Sequence, residues 1–180
     1  MKKLTPFIAY LFVCLASCIS SFAESFEETK REAEQGFAYA QFNLALDYEY
    51  GNGVPQDYKE ALKWFTKAAE QGDAGAQCNL GYLYDKGQGV EQDDKEAVKW
   101  YRLAAEQGNA TAQNNLAIKY AVGSGTTQNN IYAAMWWNIA ASNGVDKGNK
   151  KKVEERMTTS DISEAQKLAR ECVKKNYKGC

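Results

Sequence analysis

Cysteine is the residue type in this chain best able to make or break a covalent bond, and histidine is missing altogether. The thiols are Cys14, Cys18, Cys78, Cys172 and Cys180. Without imidazole there is no His-based general acid–base chemistry, no Ser-His-Asp or Cys-His nucleophile pair, and no use of the commonest metal ligand. A nucleophile would need Lys, Asp or Glu as its base. The acids are plentiful, but most stand at capping or solvated positions. The Gly-x-Ser-x-Gly elbow is absent too, because Val122 stands two residues before Ser124. No catalytic residue, no metal site and no cofactor is expected.

What remains is thiol chemistry. Cys172 and Cys180 end the chain as C-x₇-C. In an oxidising compartment that spacing reads as a disulfide, tying residues 173–179 back to a final helix. A loop this short is stabilised by about 2 to 3 kcal/mol. Cys78 reads as a buried apolar thiol in preference to an intermolecular bridge. Cys14 and Cys18 fall in the amino-terminal segment. There Lys2 and Lys3 precede an apolar run from Phe7 to Ala16, the pattern of an export signal and too short for a membrane span. Two processing sites compete. Ser21-Phe22-Ala23 places small residues before Glu24 for cleavage after residue 23. Leu15-Ala16-Ser17-Cys18 resembles a lipoprotein box, with a signal over 1–17 and lipid on Cys18. The expected location is the periplasm or the exterior, or the envelope if Cys18 is lipidated. Apart from that anchor, no transmembrane span is expected in the mature chain.

These residues are carried by a strict internal period. Trp64, Trp100 and Trp136 are 36 residues apart, as are Gln41, Gln77 and Gln113, and Gly51, Gly87 and Gly123. A period of this length marks a solenoid of stacked supersecondary units. Within one unit, Ala76, Leu80, Leu83 and Tyr84 recur at helical spacing behind an N-cap candidate, Asp73. Gly87 ends that helix. Asp93 with Glu96 predicts a capping box for the second helix, as do Asp57 and Glu60. Ala97, Val98, Trp100, Tyr101, Ala104 and Ala105 form its apolar side. The doublets Ala68-Ala69, Ala104-Ala105 and Ala140-Ala141 let helices approach closely, and stacking buries what one pair cannot.

The recurring A-x-A-Q-x-N-L, Y-x-x-G-x-G-V-x-Q-D, K-E-A-x-K-W and A-A-E-Q-G segments resemble the Sel1-like repeat family of tetratricopeptide-like proteins. The resemblance covers about residues 36 to 144. It implies an all-α, right-handed α/α solenoid of antiparallel helix pairs. The expected organisation is an amino-terminal capping helix over 24–35, repeats over 36–71, 72–107 and 108–143, and a degenerate repeat with a carboxy-terminal capping helix over 144–180. Lys147, Lys150, Lys151 and Lys152 read as a solvated capping face in preference to a basic binding patch. A last helix, roughly 159–175, is expected to turn Ile162, Ala165, Leu168, Ala169 and Val173 inward.

The resemblance also implies that first helices line the concave side and that the partner is a protein or peptide. One face of those helices varies between units while the packing positions repeat. It carries Tyr39, Phe42, Asn43, Leu46 and Tyr50, then Asn79, Tyr82 and Lys86, then Asn114, Asn115 and Ile118. Gly75, Cys78, Thr111 and Val122 stand at equivalent positions. Tyrosine and asparagine together suit a peptide backbone and apolar side chains. Asn43, Asn79 and Asn115 have a structural alternative, bonding to loop carbonyls.

The formal charge is −1. With no basic stripe, no nucleic-acid partner is expected. Cysteine-rich secreted members of the family are described as penicillin-binding or β-lactamase-like, so the resemblance implies an enzymatic alternative. Those members carry C-x₇-C in each repeat; here it occurs once. No Ser is followed three residues later by Lys, and no K-T-G occurs. A structural role in an envelope complex is the third reading.

Overall fold

A computed structural model describes residues 26–145 and 148–180. The expected export signal, Cys14, Cys18 and Lys147 lie outside the described residues. Helix α1 covers 26–34. It is followed by α2 (Ala38–Tyr50), α3 (Tyr58–Glu70), α4 (Ala74–Lys86), α5 (Asp94–Ala105), α6 (Ala110–Val122), α7 (Asn130–Ser142), α8 (Asn149–Glu154) and α9 (Thr159–Lys174). The described residues form no strand. The pairs α2–α3, α4–α5 and α6–α7 pack together, and α3–α4 and α5–α6 join one pair to the next. This is an all-α solenoid.

Local chemistry sets each helix end. Asp73 and Asn109 cap α4 and α6 by accepting from the N–H groups of Ala76 and Ala112. Asp57 and Asp93 accept from the N–H two and three residues on, capping α3 and α5. The predicted capping boxes there are only half formed. The N–H groups of Asp57 and Asp93 already donate to the carbonyls of Tyr48 and Tyr84. Glu60 and Glu96 therefore turn outward and pair with Lys63 and Lys99 at 3.0 Å. A complete box forms at Thr158 and Asp161 of α9 instead.

Two devices hold one repeat on the next. The first is a pair of glutamines. Gln77, buried, donates to the carbonyl of Ala69 at 3.1 Å and accepts from Gln107 at 2.7 Å. Gln41 and Gln113 repeat the arrangement, with Asn143 as the last donor. Full satisfaction makes a buried amide tolerable here. The second is close approach. A Cβ on Gly89 would stand 2.3 Å from the Tyr58 carbonyl oxygen, and one on Gly125 would stand 2.1 Å from that of Asp94. The loop of each repeat lies against the start of the preceding second helix, where no side chain fits.

The alanine doublets are buried as expected, apart from a half-buried Ala141, and Trp64 and Trp136 are buried with them. Trp100 is half-buried. At the far end, α9 packs on α7 through buried Ala165, Ala169 and Cys172. Val173, expected inward, is 42% exposed: its neighbour Cys172 takes the inward position. Cys172 is bridged to Cys180 across a Cα–Cα distance of 5.7 Å.

Candidate functional site

Along the first helices lies a series of cavities. The earliest, about 300 Å³, is lined by Glu49, Tyr50, Tyr58, Asn79, Tyr82 and Gln88. The next, about 390 Å³, is shared by α4 and α6, and Tyr82, Asp85, Lys86, Asn115, Ile118 and Ser124 are among its walls. A third, about 310 Å³, lies between α6 and α8, with Ile118, Val122, Trp137 and Arg156 in its lining. Tyr82 belongs to the first and second cavities, and Ile118 to the second and third. A helix turns the same face outward every third or fourth residue, so Asn79, Tyr82 and Lys86 are neighbours.

The middle cavity has an ionic floor. Lys119 of α6 is buried and bonds to Asp85 of α4, and its Nζ lies 2.7 Å from Asp94 of α5. Ser124 donates to the other Asp94 oxygen at 2.5 Å. Bonding from Lys119 and then Ser124 holds the Asp94 carboxyl below its ordinary range. Burial by itself would lower the pKa of Lys119, yet the two aspartates outweigh it and the net shift is upward. Burial, then the charge of Asp85, raises the Tyr101 phenol, which also hydrogen-bonds to Asn115. Arg102 donates to Tyr120 at 2.5 Å nearby. Among the described residues, no group of three or more His, Cys, Asp or Glu could hold a metal ion.

The earliest cavity holds a different charge pattern. Glu49 is 7% exposed, and its Oε2 is buried without a hydrogen-bond partner. Burial raises its carboxyl above the ordinary range.

Of the residues the sequence singles out, Tyr50, Asn79, Tyr82, Lys86, Asn115 and Ile118 line these cavities. Tyr39, Phe42, Asn43 and Leu46 stand apart from them. Tyr39 is exposed and donates to Glu32 at 2.6 Å. Phe42 is half-buried against Phe65, with ring centroids 5.9 Å apart. Asn43 is exposed, and Leu46 packs on the core. Asn114 is a correction. It is 1% exposed, accepts from Trp137 Nε1 at 3.1 Å and donates to Asn115, so packing occupies it. Cys78 is buried too, and its thiol is pushed up to about 11. Sequence reasoning missed Glu49, Tyr58, Asp85, Gln88 and Lys119. For Lys119 the signal is a departure from the period, since the equivalent positions 47 and 83 are Asp and Leu; for Glu49 and Asp85 it is an acid shared at one repeat position.

A larger cavity, about 480 Å³, lies between α7 and α9 and is lined by Ile139, Ala169 and Val173 among others. It belongs to the cap and lies outside the repeat series.

The same architecture occurs in solved structures. A Sel1 repeat protein from Oxalobacter formigenes is similar with a TM-score of 0.65 and 34% identity, over 67% of this chain and 35% of that one. The protein c5321, a protective antigen present in uropathogenic Escherichia coli strains and displaying an SLR fold, is similar with a TM-score of 0.64 and 27% identity. That likeness covers 84% of this chain and 42% of that one. Helicobacter pylori cysteine rich protein B shares the fold at a TM-score of 0.57 and 16% identity, over 75% of this chain and 96% of that one. A comparison with curated proteins returns no match. The chain thus spans less than half the length of the first two relatives. A family model described as Sel1 repeat matches residues 38–73, 74–109 and 110–145 in unbroken succession. With more than half of its residues in those three matches, and helix pairs stacked at their period, the chain belongs to the Sel1 repeat family.

Proposed function

We propose that this protein is an exported interaction module that binds a peptide or protein partner along the concave, first-helix face. One observation carries the reading. The cavities of that face follow one another at the repeat period, and their linings differ from repeat to repeat while the packing residues stay the same. Constant positions are accounted for by stacking. The variable ones, Tyr50, Lys86 and Val122 or Tyr82 and Ile118, are accounted for by recognition of an extended partner. Exposed tyrosines supply rigid contact area at this surface, with Tyr50 at 66% exposure and Tyr82 at 39%.

Export is supported by the Cys172–Cys180 bridge, which suits an oxidising compartment. Among the described residues no helix is long and apolar enough to cross a membrane. Whether the chain is held at the envelope through Cys18, as an adaptor or a structural component, is a question of processing that the intact mass of the mature protein answers. The penicillin-binding or β-lactamase-like alternative ranks lower, because the Ser-x-x-Lys and K-T-G residues that such chemistry uses are absent. Nitrocefin hydrolysis by the clean protein would reverse that order.

The test is a pull-down from envelope extract with the mature protein and a Tyr82→Ala, Asn79→Ala variant. The variant is expected to lose the partners that the parent retains. Retention of every partner would count against the groove.

A further inference from the structure

The first two cavities of the series are built from equivalent positions. Shifted by 36 residues, Glu49, Tyr50, Asn79, Tyr82 and Gln88 fall on Asp85, Lys86, Asn115, Ile118 and Ser124, which line the second. Tyr58 falls on Asp94, which bonds to Lys119 beneath it. The two sites differ in one respect above all. In the later one, Lys119 brings an ammonium to Asp85 and Asp94. In the earlier one the position equivalent to Lys119 is Leu83, fully buried in the core and without charge.

The earlier site therefore has no cation in its lining. Glu49 is 7% exposed, and its Oε2 has no hydrogen-bond partner. The side-chain oxygen of Gln88, from the same wall, is also buried and without a partner. An unpaired carboxylate oxygen and an unpaired amide oxygen are both costly when withdrawn from water. An ammonium at this wall gives the Glu49 carboxylate the charged partner it lacks. The remaining walls are Tyr50, Tyr58 and Tyr82 with Asn79. Phenol rings attract cations through their faces, and Lys86 Nζ lies 5.8 Å from the ring centroid of Tyr82.

We propose that this cavity receives a lysine side chain of the protein partner, whose ammonium meets Glu49 as the chain's own Lys119 meets Asp85 and Asp94 one repeat later. The proposal rests on the first-helix face being the partner surface, and it names what that partner presents: an extended segment with a lysine, its stem against the tyrosines. The second cavity carries its own ammonium and has no such vacancy.

The test uses the whole mature chain, isotope-labelled, titrated in an NMR experiment with three capped tripeptides. Their central residue is lysine, norleucine or Nε-acetyl-lysine. The lysine probe is expected to shift the signals of Glu49, Tyr50, Tyr58 and Tyr82. It should bind about tenfold more tightly than the other two, the worth of one charge-assisted hydrogen bond. Glu49→Gln should abolish that preference without lowering the melting temperature, since it removes an unpaired buried charge. Equal binding of all three probes overturns the proposal, as does no saturable binding of the lysine probe or a preference that survives Glu49→Gln. A fall in the melting temperature of Glu49→Gln would show the carboxylate already paired in the fold, and overturns it too. Each of these failures leaves the pull-down with the Tyr82→Ala, Asn79→Ala variant free to succeed, so the loss of the lysine site and the loss of the partner surface are separate results.

Discussion

Lys119 is the residue on which the middle of the solenoid turns. It joins α6 to both helices of the preceding repeat, with only 8% of its side chain exposed. Removing the cation leaves Asp85 with Lys86, 2.9 Å away, and Asp94 with the Ser124 hydroxyl and no ion pair. Lys119→Leu, which copies Leu83 one repeat earlier, should cost about 2 to 4 kcal/mol, nearer the lower end because Asp94 is partly solvated. Urea unfolding at neutral pH reads the loss. The gap between parent and variant should also depend on pH. Asp94 titrates lower in the fold than its ordinary value of 3.8, so its contribution is present above that value and is lost as pH falls through the folded one. Lys119 titrates higher than 10.5, so its contribution is complete below that value and is lost as pH climbs past it. The gap should therefore be widest between the two limits and narrow in strong acid and strong base. Cys78 makes a simpler case. Buried, with its thiol at about 11, it should resist alkylation in the native protein and react at once in denaturant; mass spectrometry after iodoacetamide labelling follows both. Thiol burial was legible from the helical period, but the ion pairs were not. They join residues 34 and 25 positions apart, on helices whose rotation about their axes the sequence leaves open.

At the scale of elements, caps and loops follow directly from residue types. Asp57, Asp73, Asp93, Asn109 and Asn129 all accept from first-turn N–H groups, as their side chains predict. The missing half of each predicted box has a tertiary cause: a carbonyl of the preceding helix reaches the N-cap N–H before the glutamate can. Glycines divide in the same way. Gly72 has φ +92 and open space around a would-be Cβ, whereas Gly89 has φ +73 and a carbonyl oxygen of the neighbouring repeat at 2.3 Å. Gly72→Ala should cost about 1 to 2 kcal/mol through the left-handed backbone alone. Gly89→Ala adds displacement of one repeat from another and should cost at least about 3 kcal/mol. Denaturant midpoints of the two variants give the comparison, and equal losses would mean that the loop does not bear on Tyr58. The sequence makes these glycines look alike. Only the stacked neighbour distinguishes them.

For the whole molecule, stability is the sum of repeats and their interfaces, so the ends are the weak points. The carboxy-terminal cap is held by the Cys172–Cys180 bridge, by burial of Ala165 and Ala169, and by Tyr177, which donates to Asn143 at 3.2 Å. Cys172→Ser with Cys180→Ser should lower the protection of α9 amides by about 2 to 3 kcal/mol, the loop-closure value, and leave α2 to α5 nearly untouched. Hydrogen exchange resolves the two regions, and a uniform loss across the chain would mean that the cap and the repeats unfold as one. The 36-residue period by itself determined the helix pairs, their caps, the tight loops and the alanine faces, because each of these depends on residues close in sequence or repeated in register. It also pointed to the variable face, from which Tyr50, Asn79, Tyr82, Lys86, Asn115 and Ile118 meet at the cavities. Tertiary structure decided the rest. It buried Asn114 under Trp137, drew Lys119 to Asp85 and Asp94, and left Glu49 Oε2 without a hydrogen-bond partner. Those outcomes depend on how far each helix is rotated and how closely the next repeat approaches, and repeating residues record the average of that packing while single departures from it are settled only by the neighbours they meet.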